Sequence, residues 1–204
     1  MSDKYASWSE LIAENEAGTD FVVRLEPRRG TLWLIAAPHG GGIEPGTTEI
    51  ARAIADSDFS FYSVEGLKRR GNAALHITSR RFNEPTFEES VIDHPRVLAV
   101  HGFDGSERRS DVMVWVGGGD TELVARAVQD LSKGGYEAAV DWFTPGTEPG
   151  NLCNRGSSGR GLQLELSRAL RSQFFSDLTR AGRRITKPAL ARFAAVVRRL
   201  IEAA

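Results

Sequence analysis

Short apolar runs alternate with amphipathic segments along the chain. Several runs are continuously apolar, which is typical of strands buried on both faces of a sheet. We predict strands at residues 21–25, 31–37, 59–64, 74–78, 97–101, 112–116, 136–140 and 161–166. Apolar positions at helical spacing, with polar caps and glycine stops, predict helices or helical turns at 7–16, 47–56, 87–92, 120–134, 168–181 and 187–203.

This order of elements predicts an α/β fold. We expect a three-layer α/β/α sandwich with a central mixed, mostly parallel sheet and helices on both faces. The sequence contains neither a repeat nor a linker, so residues 1–204 are predicted to form a single domain. In such sheets ligands bind beyond the carboxyl ends of the strands. Three loops with candidate chemistry follow predicted strands, at 39–44, 101–105 and 117–120.

The amino-acid composition limits the kinds of molecule that this protein is expected to bind. The net charge is −1, from 26 Lys and Arg against 27 Asp and Glu. Because there is no basic excess, we expect no nucleic-acid partner. No run approaches the roughly 18 apolar residues of a membrane span, and the N-terminus lacks a signal core, so we expect a cytoplasmic protein. The single cysteine, Cys153, fits a reducing compartment, and we expect a monomer.

Two of the four histidines follow or end buried strands. His39 comes directly after the run 31–37, His101 ends the run 97–101, and each is followed by glycine. If the two strands are neighbours, both imidazoles and Glu44 project into one crevice. Two histidines and one glutamate form the three-ligand set of hydrolytic zinc, which leaves one position open for water. His39 with Glu44 alone is equally compatible with a structural turn, so the hypothesis depends on His101.

A zinc hydrolase also needs a carboxylate that carries a proton from water to the leaving amine. Glu165 fits this role, because it is an acidic residue on the polar face of an otherwise apolar strand. An ion-pair partner for an arginine is the alternative interpretation of Glu165. The three glycines at 40–42 are interpreted as leaving room for an extended substrate beside the metal.

Several segments of this sequence resemble those of a known protein family. The string His-Gly-Gly-Gly-Ile-Glu-Pro-Gly-Thr at 39–47 is similar to the phage-type poly-γ-glutamate hydrolases, which are zinc enzymes related to the catalytic core of the zinc carboxypeptidases. Further matching segments stand in the same order at residues 75–79, 82–85, 100–103, 154–155 and 161–166. The resemblance implies a zinc carboxypeptidase-like fold, a zinc cofactor held by His39, Glu44 and His101, and Glu165 as the general base.

The resemblance has departures that bear on the substrate. Carboxypeptidases place their first two ligands as His-x-x-Glu, whereas four residues separate His39 from Glu44. No Asn-Arg pair follows these ligands to grip a terminal carboxylate, since Asn154-Arg155 comes much later. We therefore expect endo-cleavage of a γ-glutamyl polymer, an anionic substrate.

An anionic polymer requires cations near the metal. We expect Arg80, Arg81 and Arg160 to bind substrate carboxylates, because a guanidinium matches a carboxylate bidentately. Arg155, or alternatively Arg160, is the candidate for stabilising the oxyanion. Sequence does not rank the four arginines.

Other interpretations remain at this point. The chain could be a non-catalytic module that binds an anionic ligand on the same scaffold. The glycines at 117–119 could cradle a phosphate, although they lack the ending of a P-loop and a tight strand-to-helix turn is favoured. His76 is predicted inside a strand as a hydrogen-bonded structural residue and is the reserve ligand, and His94 is predicted at the surface.

Overall fold

The computed structural model describes residues 3–104 and 112–204, so Gly105 of the loop 101–105 lies outside the described residues. Its centre is a seven-stranded sheet with the order β1-β3-β2-β4-β7-β5-β6. The strands are β1 (Phe21–Glu26), β2 (Trp33–Gly41), β3 (Ser60–Gly66), β4 (Arg96–Phe103), β5 (Met113–Gly117), β6 (Glu137–Val140) and β7 (Leu162–Ser167).

Helices surround this sheet. They are α1 (Trp8–Glu14), α2 (Thr47–Ala55), α3 (Pro85–Ile92), α4 (Thr121–Lys133), α5 (Arg168–Ser172) and α6 (Pro188–Glu202). Side-chain caps fix several of their starts. Asp120 accepts a hydrogen bond from the backbone N–H of Leu123 at the start of α4, and Glu84 accepts hydrogen bonds from two backbone N–H groups at the start of α3.

The sheet is mixed and mostly parallel. Strands β3, β2, β4 and β7 are parallel neighbours, and β5 pairs in parallel with β6. Only two of the pairings are antiparallel among the described residues, β1 with β3 and β5 with β7. The α/β class and the largely parallel sheet predicted from sequence are therefore confirmed.

The strands separate two hydrophobic cores, which explains their continuous apolar runs. In β2, Trp33, Ile35 and Ala37 face the core that contains residues of α2, α4 and α6. Leu34 and Ala36 face the opposite core, which contains residues of α1 and α3. Because successive side chains point to opposite faces, one strand contributes to both cores. Three layers follow, as predicted.

Three local predictions are wrong. Residues 74–78 do not form a strand; Asn72–Leu75 is a 3₁₀ turn and His76 follows it in extended backbone. The helix predicted at 168–181 ends at Ser172. His94 is buried, with its Nδ1 bonded to the carbonyl of Ser90. The loop 117–120, by contrast, is the tight strand-to-helix turn that the sequence favoured, since β5 ends at Gly117 and α4 begins at Thr121. It lies away from the other two loops, because β5 runs antiparallel to β7 and Gly117 lies level with Gln163.

The topology places three candidate residues together. Strands β2, β4 and β7 are adjacent and parallel, so their carboxyl ends meet at one edge of the sheet. His39, His101 and Glu165 all lie toward this edge. The described residues include no helix that is both long and apolar enough to cross a membrane.

Candidate metal and catalytic site

A cavity of about 260 Å³ opens at the carboxyl ends of β2, β4 and β7. It brings together side chains from the strand ends and from two loops. The described lining residues are His39, Glu44, His76, Thr78, Ser79, Arg80, His101, Phe143, Thr144, Pro145, Gly146, Glu148, Asn151, Gln163 and Glu165. Both predicted ligand histidines, Glu44 and the predicted general base therefore share one cavity.

Three of these side chains converge at the bottom of the cavity. His39 Nδ1 lies 3.0 Å from Glu44 Oε1 and 3.1 Å from His101 Nδ1. His101 Nδ1 lies 3.7 Å from Glu44 Oε2. A shift of register between Ala37 and Gly40 in the pairing of β2 with β3 accompanies this arrangement. Such irregularities redirect a side chain beside functional sites.

The second nitrogen of each histidine is held by the protein. His39 Nε2 lies 2.8 Å from the carbonyl oxygen of Ile77, which can only accept, so Nε2 carries a proton and donates it. His101 Nε2 lies 3.4 Å from Ser79 Oγ. With these nitrogens directed away, both Nδ1 atoms face Glu44. This is the pattern by which outer hydrogen bonds orient ligand imidazoles.

The three groups fit a zinc ion. Their ligand atoms all lie within 4.8 Å of one another, and both histidines are buried. Zinc bonds of ~2.0–2.2 Å in a tetrahedron separate ligand atoms by about 3.3–3.6 Å, and the observed separations of 3.0, 3.1 and 3.7 Å bracket that spacing. Imidazole and carboxylate are also ligand types that zinc takes in hydrolytic sites.

The protonation states follow from burial and neighbouring charge. Burial lowers the pKa of His39, but the Glu44 carboxylate, with a smaller contribution from Glu165, outweighs burial and raises it. Burial raises the pKa of Glu44, but His39 outweighs it and lowers the value to about 2. Burial lowers the pKa of His101 to about 3. At neutral pH Glu44 is therefore anionic and His101 neutral, the forms that bind metals.

Glu165 lies beside the ligand group on the sheet. It is the direct neighbour of His101 in the parallel pairing of β4 with β7, so both side chains point to the same face. The residue is half-buried and lines the cavity. A carboxylate in this position adjoins the place where water and substrate would meet a metal.

The four predicted arginines lie in different surroundings. Arg80 lines the cavity, with its guanidinium 3.6 Å from Glu148, and its side chain is 65% exposed. Arg81 and Arg160 are exposed and are not among the described lining residues. The structure therefore brings Arg80 to the site and leaves these two outside it.

Arg155 also lies outside the described lining of the cavity. Its guanidinium donates to the carbonyl oxygens of Ser79, Phe82 and Gly150 and pairs with Glu88. These bonds hold the segment that contains Ser79 against the loop before β7. The contacts of Arg155 are those of a residue that supports the cavity wall.

The glycines at 40–42 do not leave open space for a substrate. A Cβ atom on Gly40 would meet Thr48 Oγ1 at 2.1 Å, and one on Gly42 would meet the Asn72 side chain at 2.5 Å. Gly41 has φ +63° and packs on the backbone of Gly66. Protein atoms fill the room that these glycines provide, so the interpretation of a substrate path was wrong. They allow β2, β3 and α2 to approach closely instead.

Two charged residues near the site escaped the sequence analysis. Asp3 accepts hydrogen bonds from His76 Nδ1 at 2.6 Å and from the Thr78 backbone at 2.8 Å. Arg171 is fully buried and donates to the carbonyl oxygens of Pro45 and Phe103, which follow two of the ligands along the chain. Neither contact has a local sequence signal, because the partners are 68 and more positions apart.

His76 is close to the ligand group without belonging to it. Its ring stacks on that of His39 with centroids 4.0 Å apart, and its Nε2 lies 3.8 Å from Glu44 Oε1. The hydrogen bond to Asp3 agrees with the predicted structural role, although the residue stands after a 3₁₀ turn and not in a strand.

A family sequence model and individual relatives connect this chain with known proteins. The sequence model of the family described as poly-gamma-glutamate hydrolase matches residues 5–199. The UPF0714 protein YmaC of Bacillus subtilis (strain 168) is 36% identical over 188 residues, which are 91% of this chain and 77% of YmaC.

Two solved structures share the fold across almost their whole length. A bacteriophage poly-gamma-glutamate hydrolase superposes with a TM-score of 0.92 at 31% identity, covering 99% of this chain and 98% of that one. The zinc-free apo structure of YndL has a TM-score of 0.92 at 32% identity, covering 98% of each chain. The match over residues 5–199 and these whole-length similarities show that the chain belongs to the poly-γ-glutamate hydrolase family.

Proposed function

We propose that this protein is a zinc-dependent hydrolase that cleaves γ-glutamyl amide bonds within poly-γ-glutamate. The observation that carries the proposal is the convergence of His39, Glu44 and His101 beside Glu165 at one edge of the sheet. Membership of the family supports the reaction, and the zinc-free state of a structural relative supports the choice of metal.

His39, Glu44 and His101 would hold the metal. When bound, zinc polarises an amide carbonyl and makes water a better nucleophile near neutral pH. Glu165 takes a proton from the attacking water as the water oxygen bonds to the amide carbon. It then delivers that proton to the amide nitrogen as the carbon–nitrogen bond breaks, so the products are a carboxylic acid and an amine.

The cavity wall provides contacts suited to a γ-glutamyl chain. Each unit of such a polymer has a free α-carboxylate and two methylene groups. Arg80 at the cavity mouth can exchange Glu148 for a substrate carboxylate, since both are anionic partners of one guanidinium. Phe143, whose ring packs edge-on against Trp115, offers an apolar surface for the methylenes.

The position of Arg80 supports cleavage inside the polymer. An enzyme that trims chain ends needs a cation deep in its pocket to hold the terminal carboxylate. Arg80 is the only arginine among the described residues that line the cavity. Its side chain is 65% exposed and lies at the mouth of the cavity. An exposed arginine is better placed to bind carboxylates along the polymer than to hold the carboxylate at its end.

The test is depolymerisation of poly-γ-glutamate by protein that has been stripped of metal and then reloaded. We expect no cleavage after stripping, recovery with one equivalent of zinc, and an early broad distribution of fragments by size-exclusion chromatography. Cleavage that is equally fast without metal would contradict the mechanism. Early release of single glutamate units from an otherwise full-length polymer would contradict internal cleavage.

A further inference from the structure

One short segment orients both ligand histidines. Residues 76–79 lead out of the 3₁₀ turn, and they supply the Ile77 carbonyl to His39 Nε2 and the Ser79 hydroxyl to His101 Nε2. An imidazole with Nε2 bonded in this way presents its Nδ1 lone pair in a fixed direction. The accuracy of the metal site therefore depends on the position of the segment 76–79.

This segment is held from two sides by charged residues. On one side Asp3 accepts from His76 Nδ1 at 2.6 Å and from the Thr78 N–H at 2.8 Å, so it holds the residues on both sides of Ile77. On the other side Arg155 donates to the Ser79 carbonyl at 2.9 Å. The Asp3 side chain is 12% exposed. Its two oxygens bind two donors that point in different directions, which a neutral residue of the same size could not match.

We propose that Asp3 is a positioning residue of the metal site, acting through the segment 76–79 on the ring orientation of His39. The inference rests on the zinc site of the proposed function. Asp3 touches neither metal ligand nor substrate in this role. Its effect reaches the site because Ile77 stands between the two residues that Asp3 binds, and the Ile77 carbonyl oxygen accepts the hydrogen bond from His39 Nε2.

The test compares zinc affinity in the full-length protein and its variants by competition with a chromophoric chelator. Loss of an outer hydrogen-bond partner weakens metal binding by about 10–100-fold in comparable sites. We expect Asp3→Ala to weaken zinc binding within that range and Asp3→Asn to weaken it less, because the amide retains one acceptor. Lys4→Ala is the matched control, since Lys4 adjoins Asp3 but pairs with Glu14 at the surface; its zinc affinity should stay within about twofold of wild type.

Two further readouts separate positioning from general stability. Ser79→Ala should also weaken zinc binding, because Ser79 acts on His101 from the same segment. Excess zinc should restore most of the kcat of Asp3→Ala. Its zinc-free form should stay folded, with a melting temperature lowered by a few degrees because two donors lose their acceptor.

Two outcomes would contradict the positioning role of Asp3, and a third would contradict the proposed function. Unchanged zinc affinity in a folded Asp3→Ala protein would overturn the positioning role while the zinc hydrolase stands. A loss of affinity that only follows a loss of folded zinc-free protein would overturn it too. Wild-type protein that does not bind zinc would instead overturn the proposed function.

Discussion

At the scale of single residues, two carboxylates of one cavity have different surroundings. Glu44, whose side chain is 13% exposed, accepts the N–H of Gly102 at 2.8 Å and faces both candidate ligand histidines. Glu165 is half-buried on β7 and is not among the three groups whose atoms converge. Different environments give chemically equal side chains different tasks. Glu44 is thus suited to holding a cation, and Glu165 to carrying a proton.

The role of Glu165 predicts the behaviour of Glu165→Gln. An amide cannot take the proton of water, so we expect kcat to fall by roughly 10²–10⁴-fold, while zinc binding stays close to wild type. The measurement is initial rate of depolymerisation together with zinc stoichiometry. Glu148→Gln, a carboxylate of the same cavity that pairs with Arg80, is the control and should retain turnover. A non-catalytic binding module would have no turnover to lose.

Arg80 and Arg81 provide a matched pair for substrate binding. Arg80 lines the cavity, whereas its neighbour Arg81 is exposed outside the described lining. A lost bond between a guanidinium and a carboxylate costs about 1.5–2 kcal/mol, so Arg80→Ala should raise KM roughly 10- to 30-fold with little change in kcat. Arg81→Ala should change neither value at moderate salt. Equal effects of the two substitutions would contradict the assignment of Arg80.

The protonation states predict how many protons zinc displaces. His39 has a raised pKa and is protonated below its usual 6.5, whereas the pKa of His101 is lowered to about 3 and that of Glu44 to about 2. At pH 5.5 only His39 must give up a proton to bind zinc, and affinity should rise with pH until His39 is neutral. Calorimetry in two buffers should give about one proton released per zinc. Two released protons would show that His101 is also charged.

At the scale of elements, α5 supports the site from behind. Arg171 is fully buried and donates to the carbonyls of Pro45, Phe103 and Leu166, so one guanidinium joins the loop after β2 and the last residue of β4 to β7. The ideal Cβ position of Gly102 lies only 2.5 Å from this guanidinium, which is why glycine follows His101.

This arrangement predicts the effect of Arg171→Lys. A lysine cannot reach the three carbonyls at once, and each buried acceptor left without a donor costs about 1–3 kcal/mol. We expect the free energy of unfolding to fall by about 3 kcal/mol in urea titrations. Arg168→Lys is the control, because Arg168 is on the same helix and is half-exposed, with Asp104 as its partner at 3.3 Å. Similar losses for both variants would contradict the bridging role.

Element predictions succeeded where a segment's pattern agreed with its neighbours. The continuous runs of β2 and β4 became central parallel strands, since each strand contributes side chains to both cores. Residues 74–78 also alternate, with Leu75 and Ile77 buried, but they have no neighbouring strand to pair with among the described residues. An alternating pattern of apolar residues shows that every second side chain is buried. A β-strand also needs a neighbouring strand whose backbone can form hydrogen bonds with it.

The helix predicted at 168–181 is much shorter in the structure than its apolar pattern indicates. It ends at Ser172 because the backbone of Phe174 and Ser176 bonds with Lys187 and Ile185 instead of continuing the helix. Phe174 and Phe175 are both buried by this turn. Contacts with residues nine and thirteen positions away decided its end, and a local pattern does not contain them.

At the scale of the whole molecule, the convergence of the candidate site residues was predictable because of the sheet topology. His39, His101 and Glu165 stand at the ends of three strands, and parallel strands place such ends together. The supporting residues were not predictable in the same way. Asp3, Arg155 and Arg171 act through backbone groups far along the chain, where any residue could supply the carbonyl or the N–H.

The central claim is that His39, Glu44 and His101 hold zinc. The most direct measurement is anomalous scattering at the zinc absorption edge from crystals of the zinc-loaded protein. We predict a single strong peak between the Nδ1 atoms of both histidines and the Glu44 carboxylate, with bonds of about 2.0–2.2 Å. A folded, zinc-saturated protein whose anomalous peak lies elsewhere, or that shows none at these residues, would contradict the claim.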